Sequence, residues 1–327
     1  MNSKKFAKLG YGLLLLGLIA APFMGAYPVF VMKLMCFALF ACAFNLLLGY
    51  TGLLSFGHAA FFGGAAYVTG HAIKVWHLTP ELGILFGVVF GALLGVVFGW
   101  LAIRRQGIYF SMITLALAQM LFFACLQMPF TGGEDGLQAV PRGKLFGLLS
   151  LESDWTMYYV ALVIVVLAFL LIMRTVHSPF SQVLKALKEN EPRAISLGYD
   201  VNRFKLLAFV ISAALAGLAG SLKTVVLGFA TLTDVHWTAS GQVILMTLVG
   251  GLGLLSGPIV GSAVIVALEN KIGDIGTWLS RLTGVEWFNT LGESVTIVTG
   301  LIFVICVLAF RRGIMGELIA FMDRKKK

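Results

Sequence analysis

The sequence predicts an all-α integral membrane protein with about ten transmembrane helices, or eight plus a re-entrant hairpin, and with both termini cytoplasmic. Three observations carry this reading. Of 327 residues, 59% are hydrophobic and only 12% are charged, about half the charged share of a soluble domain, and the mean hydropathy is +0.94. The apolar stretches are continuous and close to the ~20 residues that a helical crossing needs, unlike the ~10-residue alternating segments of a membrane β-barrel. Finally, the basic residues gather at the ends of these stretches, where topology signals belong.

Taken in order, the expected spans are 9–27, 29–49, 53–73, 82–103, 108–127, 157–173, 206–222, 238–253, 257–271 and 291–310. The first follows a basic arm and has the outline of a secretory signal. It is read as a retained helix because the charge pattern then closes. With the N-terminus inside, the cytoplasmic side holds three Lys in the N-terminal arm, Arg104 and Arg105, six basic residues from Arg174 to Lys205, and six after Phe310. That is 17 of the 24 Lys and Arg. The net charge of +9 is thereby a topology signal rather than a nucleic-acid surface, and lipid is the expected partner of the apolar exterior. The chain forms a single domain over 1–327, with an outer loop at 128–156 and a cytoplasmic loop at 174–205. Stretches 238–253 and 257–271 are short for a full crossing, so each is either a short tilted helix or half of a re-entrant hairpin. Glu269 and Lys271 then fall at the outer end of the ninth span and read as interfacial.

Two patterns point to packing and to a pathway. Gly87, Gly91, Gly95 and Gly99 form an i, i+4 ladder on one face of the fourth span. Ala213, Gly217 and Ser221, with Ala216 and Gly220, echo it in the seventh. Helices in lipid associate by close contact over small residues, so this face meets either another helix of the chain or another subunit. The tetrapeptide Gly-Leu-Leu-Ser occurs twice, at Gly52–Ser55 and at Gly253–Ser256, each time between two spans. Repeated glycine-broken turns of this kind mark transport pathways. Ser55, Gly57 and His58 follow the first copy at the start of a helix, and a histidine there is a candidate for the translocation path or its gate, with a hydrogen-bonded structural role as the alternative.

The segment 178–205 has helical spacing at Val183, Leu184 and Leu187. Pro192 can open a second short helix in its first turn, and Gly198 can end it at C′. Glu191, Ala194 and Gly198 in E-x-x-A-x-x-x-G resemble the coupling loop of ABC importer permeases. In the same order and spacing, NLLLGYTGLLSFGHAAFFGGAAY (45–67), GIYFSMITLALAQM (107–120), TGGEDGL (131–137) and LVGGLGLLSGPIVGSAV (248–264) are similar to the branched-chain amino acid ABC transporter permease family of the LivM type. Pro192 inside the coupling motif and the tail FMDRKKK depart from that pattern. The resemblance implies a multi-pass permease of the bacterial cytoplasmic (inner) membrane. It implies three kinds of partner: a second homologous permease subunit, two ABC ATPase subunits, and an extracytoplasmic substrate-binding protein. The implied cargo is a branched-chain amino acid or a similar small amphipathic solute such as urea or an amide, and ATPase coupling falls to Glu191, Ala194 and Gly198.

The residues also bear on the competing classes. No G-x-x-x-x-G-K-[ST] phosphate loop occurs, so energy is expected from a partner. Asp and Glu fall in loops or at span ends, which argues against an ion-coupled secondary transporter. His58, His71, His77, His177 and His236 do not cluster at metal or acid–base spacing, and the TGGEDG loop with Glu152 and Asp154 is a poor calcium site. No enzyme activity, cofactor or metal is expected. Cys36, Cys42, Cys125 and Cys306 fit neither a disulfide framework nor a zinc site and read as small buried hydrophobes.

Overall fold

The computed structural model describes residues 3–283 and 312–324, together with Val298, Gly300, Leu301, Val304 and Leu308. Apart from these, the span expected at 291–310 lies outside the described residues, as does Cys306. The described helices are α1 (Ser3–Ala20), α2 (Pro28–Thr51), α3 (His58–Lys74), α4 (Pro80–Ala102), α5 (Ile108–Gln127) and α6 (Asp154–Val176), then α7 (Pro179–Glu189), α8 (Glu191–Ser196), α9 (Val201–Leu227), α10 (Leu232–Val235), α11 (Trp237–Gly250), α12 (Gly257–Thr283) and α13 (Gly313–Arg324). Among the described residues, α2, α4, α5, α6 and α9 are long and apolar enough to cross a membrane. The protein is thus a helical membrane protein.

Local chemistry sets the boundaries. Prolines open α2, α4, α7 and α8 in their first turns, where the missing N–H is no loss. Gly52 and Gly228 close α2 and α9 in the left-handed region, at φ 77° in both cases. That conformation suits glycine because it has no Cβ.

Several expected boundaries differ, by five residues or more at the first, third, seventh and ninth spans. The third span is not helical from residue 53: Gly52–Gly57 is an irregular stretch and α3 begins at His58. The ninth does not end at 271 but continues to Thr283 as a 27-residue helix. Glu269, Asn270 and Lys271 ended the apolar run, yet polar residues do not stop a helix, so hydropathy located the wrong boundary. Its partner α11 is short, at 14 residues. The outer loop is not without regular structure either, since β1 (Lys144–Leu145) and β2 (Leu149–Ser150) form a small antiparallel hairpin.

Helix α9 is the hub and packs on α2, α3 and α4. The glycine ladder of α4 faces it. A Cβ on Gly91 would lie 3.0 Å from Ala213 O and 3.2 Å from Gly217 Cα, and one on Gly95 would lie 2.6 Å from Ala213 Cβ. On Gly99 it would meet Leu206 Cδ1 at 2.7 Å. Ser221 Oγ and Thr69 Oγ1 fill the space beside Gly87 and hydrogen-bond each other at 2.8 Å. The opposite face of α4 (Leu85, Val89, Leu93, Val96 and Trp100 among others) is exposed, as a lipid-facing surface is.

Candidate functional site

A polar cavity of about 640 Å³ lies between α2, α9, α10, α11 and α12. Its walls are apolar at Phe37, Phe62, Leu227, Phe229 and Leu245 and polar at Thr231, Thr233, Thr238 and Gln242. Four charged residues line it: Lys33, Lys223, Asp234 and Glu269.

Two of these charges hold structure. Lys223 Nζ donates to Asp234 Oδ2 at 2.5 Å with both side chains nearly buried, and Lys223 also stands over the Phe229 ring, 4.7 Å from its centroid. Asp234 Oδ2 accepts further bonds from Thr231 N at 3.2 Å and Thr231 Oγ1 at 3.0 Å. This closes a capping box on α10. A buried ion pair is tolerable only when its remaining hydrogen-bonding capacity is met in this way.

The other two are arranged differently. Glu269 lies near the middle of α12 and accepts a hydrogen bond from Gln242 Nε2 on α11. Lys33, in the second turn of α2, lines the same cavity, but no ion pair joins them. Its nearest aromatic partner is Phe37, 6.0 Å to the ring centroid. Glu269 is therefore a wall residue of the cavity. Sequence reasoning missed it because α12 was cut short. The missed signal was an acidic residue with Asn270 and Lys271 inside a stretch that stays helix-compatible to Thr283.

The candidate gate residues lie elsewhere. Ser55, Gly57 and His58 are buried, and none lines the cavity. Ser55 Oγ accepts from Gly57 N at 3.1 Å, which shapes the turn into α3. His58 Nε2 lies 2.8 Å from Ser212 Oγ. Because Ser212 donates its own proton to Ala43 O at 2.5 Å, the imidazole carries its proton on Nε2 and donates to the serine. The rings of Phe44, Phe61 and Phe209 surround it. His58 thus fastens α3 to α9 and α2. The two Gly-Leu-Leu-Ser turns lie against each other: Asn45 Oδ1 accepts from Gly253 N at 3.0 Å, and Asn45 Nδ2 donates to Leu254 O at 2.9 Å. Gly52 and Gly253 take matching left-handed conformations, φ 77° and 73°.

At the same end of the bundle, α7 and α8 form a helical pair with a small core of Leu184, Leu187, Ala194, Val201 and Ala208. Ala194 is buried in it. Glu191 turns inward to Lys205 Nζ at 2.7 Å. Gly198 has φ 86°. Its N–H bonds Ile195 O at 2.9 Å while Tyr199 N bonds Ala194 O at 3.2 Å, a Schellman closure of α8. These three residues shape the loop, whereas Ile195, Leu197 and Tyr199 are exposed. Lys188 Nζ donates to Gly49 O, at the last turn of α2, at 2.9 Å, and Lys185 stands over Tyr50. The loop is therefore fastened to the helix that carries Lys33 at its other end.

The opposite end is closed by the 128–153 loop. Leu137 and Ala230 pair backbone to backbone, Val140 N bonds Gly228 O at 2.8 Å, and Arg142 joins Asp154 at 2.6 Å and Val226 O at 3.1 Å. Among the described residues no group of three or more His, Cys, Asp or Glu side chains is placed to hold a metal.

The family described as "Branched-chain amino acid transport system / permease component" matches residues 29–308. Among curated proteins the chain is similar to the high-affinity branched-chain amino acid transport system permease protein LivM of Salmonella typhimurium (28% identical, covering 81% of this chain and 68% of the relative). It is also similar to LivM of Escherichia coli (27% identical; 76% and 64%) and to the ribose import permease protein RbsC of Bacillus subtilis (28% identical; 60% and 58%). The chain thus spans about two thirds of the length of the LivM relatives. No solved structure matches.

Proposed function

Because the chain belongs to the branched-chain amino acid transport permease family, we propose that it is the membrane subunit of an ABC importer for a branched-chain amino acid or a similar small amphipathic solute. A second homologous permease completes the path, two ATPases supply energy, and an extracytoplasmic binding protein delivers the cargo. Both termini and the α7–α8 loop face the cytoplasm, and the 128–153 loop faces outward in the bacterial inner membrane. The cavity beside α12 is then the outer half of the path, and the paired Gly-Leu-Leu-Ser turns, with Ser55, Gly57 and His58 bracing the first, close its cytoplasmic end.

The observation that carries this reading is the attachment of α7 to α2. An ATPase groove taking the exposed Ile195, Leu197 and Tyr199 would move α8, and the Lys188–Gly49 bond passes that movement to α2 and so to the cavity wall. Glu191, Ala194 and Gly198 serve coupling by holding α8 in shape. A secondary transporter has one observation in its favour, the mid-helix Glu269. It leaves the α7–α8 loop unexplained.

Co-purification with the ABC ATPases of the same import system, followed by substrate-stimulated ATP hydrolysis, tests the proposal. Leu197→Glu places a charge in a docked apolar surface and abolishes both, while membrane insertion stays normal. Full ATPase recruitment by that variant contradicts the docking surface.

A further inference from the structure

Among the described residues two ion pairs hold near-buried charges, Lys223 with Asp234 and Lys205 with Glu191, and a third, Arg142 with Asp154, is more open. Lys33 and Glu269 are not joined in this way. They are half-buried, of opposite sign, on the wall of one cavity, and they do not pair with each other. Charges at membrane depth are costly and mark the path of something they recognise. A volume of about 640 Å³ falls in the ~300–1,000 Å³ range of small-molecule sites. The remaining wall is divided: Phe37, Phe62, Leu227 and Leu245 offer apolar surface, and Gln242 fixes the Glu269 carboxylate.

We propose that Lys33 and Glu269 form a two-point head-group site for a zwitterionic α-amino acid within this subunit, Lys33 taking the carboxylate and Glu269, oriented by Gln242, taking the ammonium. This rests on the importer reading and adds to it the residues that select the cargo after the binding protein has released it. An amino acid satisfies both charges while its side chain lies on the phenylalanine and leucine wall. A plain amine, a fatty acid or a neutral amide leaves at least one charge unmatched, and an unmatched charge in a half-buried site weakens binding by about 10- to 100-fold. Lys33 lies on α2, which Lys188 ties to the α7–α8 loop, so movement of that helix changes the distance between the two charges.

The test uses the assembled transporter in proteoliposomes with saturating leucine-loaded binding protein and internal ATP. Lys33→Cys and Glu269→Gln each lower leucine uptake at least about tenfold. Treating the Lys33→Cys complex with an aminoethyl thiosulfonate rebuilds an ammonium at that position and restores uptake, whereas a sulfonatoethyl reagent of opposite charge does not. Cys36, Cys42 and Cys125 are buried, and treated wild-type complex is the control for reaction at other thiols. Leucine protects the introduced cysteine from the reagent. Rescue and protection together support the site. Wild-type uptake rates in the two variants, or a failure of aminoethylation to rescue, overturn it. A wild-type complex that uses ATP but moves only an uncharged amide also overturns the zwitterion site, while leaving the importer standing. A complex whose transport ignores ATP overturns the importer reading itself.

Discussion

Helix α9 belongs to two regions that solve opposite problems. Along Ala213, Gly217 and Ser221 it meets the glycine ladder of α4, and the contact works because side chains are missing: backbone lies on backbone, so that a Cβ on Gly217 would lie 3.4 Å from Gly91 Cα. Two residues after Ser221, at Lys223, it lines a cavity with four charged side chains, where the difficulty is how to keep charge out of bulk water. The seam is made by subtraction and tolerates no added volume. The cavity is made by addition and tolerates charge only in matched sets, except at Lys33 and Glu269. Stability resides in the first region and in the Lys223–Asp234 pair. Recognition resides in the two charges that are left apart.

The comparison can be broken from either side. The largest effect is expected at the ion pair: Lys223→Met leaves Asp234 buried and unmatched, which destabilises by about 3–5 kcal/mol, read as a loss of monodisperse protein on thermal challenge in detergent. Adding Asp234→Asn to it restores much of the loss, and a double variant no better than the single would mean that the pair does more than neutralise charge. Next comes the seam. Gly91→Leu adds a side chain where a Cβ already lies 3.0 Å from Ala213 O, an overpacking of about 1–3 kcal/mol or more. Gly17→Leu on α1, with nothing within 4 Å of its Cβ position, leaves the melting temperature unchanged. Equal melting of the two variants would show that the ladder faces lipid. The smallest effect is at Ser221→Ala, which removes the bond to Thr69 from the seam at a loss of about 1 kcal/mol. A larger loss would indicate that this hydroxyl pair, which joins α3 to α9 beside Gly87, carries the seam more than close packing does.

The same contrast explains what the sequence disclosed. The glycine ladder is a local pattern: i, i+4 spacing puts Gly87 to Gly99 on one face whatever the tertiary structure, and the matching small residues of α9 are equally local. The α7–α8 loop was legible for the same reason, with Pro192 and Gly198 marking its ends by backbone chemistry. The cavity was not legible. Lys33 and Glu269 are distant in sequence, on α2 and α12, and each by itself reads as an interfacial charge. Hydropathy also ended the ninth span at Lys271, inside the helix that carries Glu269, because a run of apolar residues measures lipid exposure and not helix length. His58 shows the converse. Its position at a helix start suggested a gate or a structural role, and only the bond to Ser212, which in turn bonds Ala43 O, and the contacts with three phenylalanines show it fastening helices. The residues shaping α8 were found, but the direction of their side chains, Glu191 toward Lys205 and Ala194 into the loop core, depends on contacts that no spacing encodes.

The claim that decides the whole account is that movement at the α7–α8 loop, driven by ATP in a partner, opens the path lined by Lys33 and Glu269. Its most direct measurement is leucine uptake by the reconstituted complex under independent control of ATP and of the ion gradients. The account predicts uptake that follows internal ATP, persists when ionophores collapse the proton and sodium gradients, and is lost in Leu197→Glu. Uptake that continues without ATP and falls with the gradients would contradict it, and would make Glu269 the coupling site of a secondary transporter.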